Sequence, residues 1–84
     1  MDNTLEYGFG NFVITFDQIG GNYYRATVHG EHRSILINLI VSVNIIKRIM
    51  NNINKLPTTE LSLNFFSQVF YGACLYAING SMAE

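Results

Sequence analysis

Eighty-four residues leave room for one domain and one core, and a composition that is 49% hydrophobic but only 13% charged holds more apolar side chain than such a core can absorb. The surplus points to a subunit interface, a partner's groove or a membrane. A formal net charge of -1, from five basic and six acidic residues, argues against nucleic acid, whose binders concentrate positive charge to displace phosphate counterions. A single cysteine, Cys74, excludes an internal disulfide.

The N-terminal third alternates with the period of strands. Leu5, Tyr7 and Phe9 share one face, and Phe12, Ile14 and Phe16 the next, with a phase shift at Gly10 and Asn11. A tight turn there sets Phe9 opposite Phe12, Tyr7 opposite Ile14 and Leu5 opposite Phe16; a bulge within one longer strand would shift the phase equally well. At the second turn, a two-residue Gly20-Gly21 loop would set Phe16 against Arg25. A three-residue Gly20-Gly21-Asn22 loop sets Phe16 against Ala26, Ile14 against Val28 and Asp17 against Arg25, keeping the apolar side chains on one side. The three-residue register is the one expected. It leaves Val13, Thr15 and Asp17 beside Tyr23, Arg25, Thr27 and His29 on the outward face.

From about Glu31 or Ser34 the spacing turns helical, with Leu36, Leu39, Val43, Ile46, Met50 and Ile53 three or four apart. This helix is expected to be buried nearly all round, to become amphipathic after Lys47 and Arg48, and to end among Asn51, Asn52 and Asn54. A turn at Lys55, Leu56 and Pro57 leads to a second helix, capped by Thr58, with Glu60 in its first turn and Gly80 as its stop. Phe66, Phe70, Ala73 and Ala77 form its apolar face. The fold expected is therefore a single α+β domain over residues 1–84, an antiparallel hairpin or three-stranded meander followed by two helices packed on one face.

Leu61 to Ala83 carries no charge and has the length of a bilayer-spanning helix, yet Ser62, Asn64, Ser67, Gln68 and Asn79 interrupt it. No charged segment leads into an apolar leader, so a reducing, cytoplasmic setting is expected. His29, Glu31 and His32 crowd together, but a zinc site needs further ligands and the lone thiol is far along the chain, so no metal or other cofactor is expected. Cys74 has apolar neighbours and no base, the pattern of a small buried hydrophobe. The glycines have neither Walker nor dinucleotide spacing, and no catalytic triad order is present, so the chain is not expected to be an enzyme.

Activity must then rest on surfaces. The outward sheet residues Asp17, Tyr23, Arg25, Thr27 and His29 form the expected binding face, since tyrosine and arginine are enriched at interface hot spots. An oligomer interface is expected along one helix side carrying Ile37, Val41 and Ile45, or at the Phe65 and Val69 edge of the second helix.

The run ATVHGEHRSILINLIVSVNIIKRIMNNI, Ala26 to Ile53, reads as a strand passing into a long aliphatic helix and resembles small accessory proteins of bacteriophages and prophages, among them anti-CRISPR and other anti-defence inhibitors. That resemblance implies a dimeric protein in the host cytoplasm that blocks a bacterial protein complex by stoichiometric binding. Many such inhibitors are acidic mimics of nucleic acid, whereas this near-neutral chain would act by shape and apolar contact. The alternatives are a structural homo-oligomeric subunit and a small membrane-active helical hairpin.

Overall fold

A computed structural model describes residues 4–57 and 60–83. Four strands come first: β1 (Thr4–Phe9), β2 (Phe12–Gly20), β3 (Tyr23–His29) and β4 (Ser34–Ser42). Two helices follow, α1 (Val43–Asn54) and α2 (Leu63–Ala83). The strands form one antiparallel meander in the order β1-β2-β3-β4, and both helices pack on the same face.

Both expected registers are present. Phe9, Tyr7 and Leu5 lie opposite Phe12, Ile14 and Phe16, around a two-residue Gly10-Asn11 turn. Gly10 has φ 57° while Asn11 stays negative, the glycine-first pattern of a type II′ hairpin turn. Across the second turn Phe16, Ile14 and Asp17 lie opposite Ala26, Val28 and Arg25. Here the loop closes more tightly than the sequence suggests: Gly20 pairs with Tyr23, Ile19 bulges out, and Gly21 takes the left-handed conformation at φ 54°.

The segment expected to open the first helix is instead a fourth strand. Ser34–Ser42 pairs with β3, and its odd-numbered residues face the core while Leu36, Asn38 and Ile40 face outward. Four of its nine residues are the β-branched Ile35, Ile37, Ile40 and Val41, which favour a pleated surface over a helix. His29 accordingly closes β3, and Gly30 to Arg33 form a strand-to-strand connection in which the Gly30 amide donates to the Arg33 carbonyl at 2.9 Å.

Helix α1 therefore starts only at Val43, whose amide donates to the Asn22 carbonyl at 2.8 Å and so ties the helix to the β2–β3 turn. From there the expected amphipathic pattern holds: Ile46, Ile49, Met50 and Ile53 are buried, and the helix ends at Asn54. Val43, expected in mid-seam, is only half-buried. Thr58, the expected cap of the second helix, lies outside the described residues; Ser62 serves as cap, its Oγ accepting from the Phe65 amide at 3.1 Å. Gly80 does not stop α2, which runs on to Ala83.

The core joins sheet to helix through rings. Phe66 stacks on Phe9 and Phe12 at 5.1 and 4.8 Å, Phe70 meets Phe16 at 6.1 Å, and Tyr7 meets Phe16 edge-on at 5.7 Å. Cys74 and Ala77 continue the same helical face, while Ala73 is only partly buried. Burial pushes the Cys74 thiol up to about 12.

Three outcomes test this packing. Phe66→Ala should cost about 3–5 kcal/mol in denaturant unfolding, since it removes a fully buried ring. Ile14→Asp should unfold the chain, while Val13→Asp, one residue away on the outer face, should cost no more than about 1 kcal/mol; equal effects would refute the register. The raised Cys74 value keeps the native thiol protonated, so its stabilisation is complete below about pH 9, the ordinary value of 9.0, and is lost as pH rises towards about 12. The stability difference between the wild type and Cys74→Ala should accordingly shrink above pH 9 by about 1.4 kcal/mol per pH unit.

Candidate functional site

With α1 and α2 on one side, no described element covers the other side of the sheet, and the strand registers set its side chains in rows. Gly8, Val13, His29 and Ser34 form one row, and Glu6, Thr15, Thr27 and Leu36 the next. Thr4, Asp17, Arg25 and Ile40 form a third, while Tyr23 lies between Gly20 and Ser42 at the far end. All five residues expected to bind, Asp17, Tyr23, Arg25, Thr27 and His29, thus share one surface.

Polar contacts fix part of it. His29 bridges two neighbouring strands, with Nε2 2.9 Å from Thr15 Oγ1 and Nδ1 2.7 Å from Ser34 Oγ. Both ring nitrogens are engaged, so this histidine is held as a structural brace across β2, β3 and β4. Glu31 and His32 sit 3.8 Å apart and almost fully exposed. Among the described residues no group of three potential metal ligands converges.

Asp17 accepts from Thr4 Oγ1 at 3.0 Å. Arg25, its cross-strand neighbour, keeps a buried Nε with no hydrogen-bond partner among the described residues. Around it the surface is apolar: Tyr23 is 56% exposed, Leu36 56% and Ile40 54%, with Ile19 and Val13 also open. Ile19, Gly20, Tyr23 and Ile40 line a shallow depression of about 340 Å³. Ile19, Leu36 and Ile40 were not among the expected binding residues. The helical reading of their segment hides Leu36 and Ile40, and the signal that finds them is the alternation of β4 itself.

The expected helical interface needs correction. Ile37 and Val41 lie in β4, not on a helix, and point into the core at 4% and 3% exposure, so neither offers contact area. Ile45 on α1 and Val69 on α2 are half-buried. Phe65 is open at 53%, on the same helix as exposed Tyr71, Leu75 and Tyr76.

A cavity of about 540 Å³ lies at the other end of the fold between the β1–β2 turn and Glu60 to Ser62; among the described residues Glu60 is the ionisable group lining it. Among the described residues no helix is long and apolar enough to cross a membrane. No known protein family, characterised protein or solved structure matches this chain.

Proposed function

We propose that this chain is a non-enzymatic binding protein that engages a protein partner through the outer face of its sheet. The observation that carries the reading is the cluster of exposed Tyr23, Leu36 and Ile40 on the outer sheet face, beside Arg25. A partner's carboxylate would pair with the Arg25 guanidinium, and the surrounding apolar side chains would exclude water from the contact. Asp17, Thr27 and His29 complete the rim of this face. A face of this character suits stoichiometric inhibition of a larger protein complex, as in the phage-type inhibitors that the sequence resembles. Net charge -1 supports recognition by shape rather than by imitation of nucleic acid.

The test is capture of a partner from bacterial lysate followed by titration calorimetry. The Tyr23→Ala, Arg25→Ala double variant should keep its circular dichroism and bind the captured partner at least ~2 kcal/mol, about 30-fold, more weakly. Unchanged affinity would reduce this face to solvated surface.

A further inference from the structure

Strand β4 reads alike from either end. About Asn38, Ser34 mirrors Ser42, Ile35 mirrors Val41, Leu36 mirrors Ile40 and Ile37 mirrors Leu39. It is also an edge strand, nine residues long, and it carries no charge and no proline, two common devices that keep an edge from pairing. Between the pairs Arg25–Ile40 and Thr27–Leu36 it has three residues where β3 has one, a bulge that is likewise centred on Asn38. Two extra residues preserve the alternation of faces on both sides of the centre.

The free edge of this strand is open to a groove of about 480 Å³ that touches the four consecutive residues Ile35 to Asn38. Consecutive strand residues point to opposite faces, so a cavity in contact with all four runs along the edge. Its other wall is α2, through Asn64, Ser67, Gln68 and Tyr71. Ser67 on this wall is 6% exposed, and Asn64, Gln68 and Tyr71 beside it give the groove a polar rim.

We propose that β4 of a second copy occupies this groove, antiparallel and related by a two-fold axis through Asn38, so that two sheets become one of eight strands. A two-fold interface must be self-complementary, each contact being made twice, and the mirror pattern of β4 meets that condition at every position. Ile35 to Asn38 would receive the partner's Val41 to Asn38, and Leu36 would lie against the partner's Ile40, covering side chains that are 56% and 54% exposed in the monomer. No like charges are opposed, because the strand has none and Arg33 would fall opposite the partner's Val43. Two nine-residue edges zipped over about 30 Å cover on the order of 1,000 Å² in total, the lower range for a specific dimer. An unrelated extended segment could pair with the same edge, but it would leave the mirror symmetry without a role. This dimer does not depend on the identity of any other partner.

Sedimentation equilibrium of the full chain tests it. The wild type should be a dimer at micromolar concentration. Leu36→Lys with Ile40→Lys sets like charges against each other twice and should raise the dimer dissociation constant tenfold or more, with circular dichroism unchanged because both sites are exposed. Leu36→Lys with Ile40→Glu sets opposite charges in the same two places and should restore the dimer. Asn38→Cys should oxidise to a covalent dimer across the axis, with the buried Cys74 taking no part. A monomeric wild type, a dimer indifferent to the paired lysines, a charge-exchanged variant that stays monomeric, or failure of Asn38→Cys to cross-link would each overturn the proposal.

Discussion

The stacking of Phe66 on Phe9 and Phe12 is the contact from which the rest of the arrangement follows. Phe9 and Phe12 flank the first turn, so the ring of α2 grips the hairpin where its two strands meet. Phe70, one turn further on, reaches Phe16 and thence Tyr7. Ring contacts of this kind contribute about 0.5–1.5 kcal/mol each beyond the area they bury. More important is what they orient: with one helical face committed to these rings, both helices lie on one side of the sheet and no described element covers the opposite side.

That asymmetry explains where the apolar surplus goes. A two-layer domain of 84 residues buries one face of its sheet and one stripe of each helix, and the remaining hydrophobic side chains stay in contact with water. Here they gather in two places, the outer sheet face with Val13, Ile19, Tyr23, Leu36 and Ile40, and the outward side of α2 with Phe65, Tyr71, Leu75 and Tyr76. Between the two runs the open edge of β4, with Leu36 on the sheet side of the groove and Tyr71 on the helix side. The exposed area is thus continuous with an unsatisfied backbone edge, which distinguishes it from scattered surface residues.

The two hairpin registers were legible in the sequence because turn chemistry and burial agree there. Glycine marks each turn, and at the second turn the register that keeps Phe16 and Ile14 with Ala26 and Val28 is the one that gathers the apolar side chains on one side, whichever loop length closes it. The fourth strand was not legible from period alone. In Ser34–Ser42 the apolar residues are so dense that a helical seam through Leu36, Leu39 and Val43 and a strand face through Ile35, Ile37, Leu39 and Val41 can both be drawn. Its length, its β-branched content and the Gly30 turn before it favour the strand. The same ambiguity hid half of the candidate site: Tyr23, Arg25 and Thr27 followed from the hairpin register, whereas Leu36 and Ile40 could be placed beside them only once β4 was known to be a strand.

Arg25 carries a local cost to stability. Its Nε is buried without a partner, at a cost of about 1–3 kcal/mol in a domain whose whole stability is roughly 5–15 kcal/mol. Cross-strand Asp17 is directed to Thr4 instead, so the sheet does not supply an acceptor from the residue best placed to do so. Replacing Arg25 with an apolar residue of similar length should therefore remove the deficit and stabilise the protein, because no buried donor is then left without an acceptor.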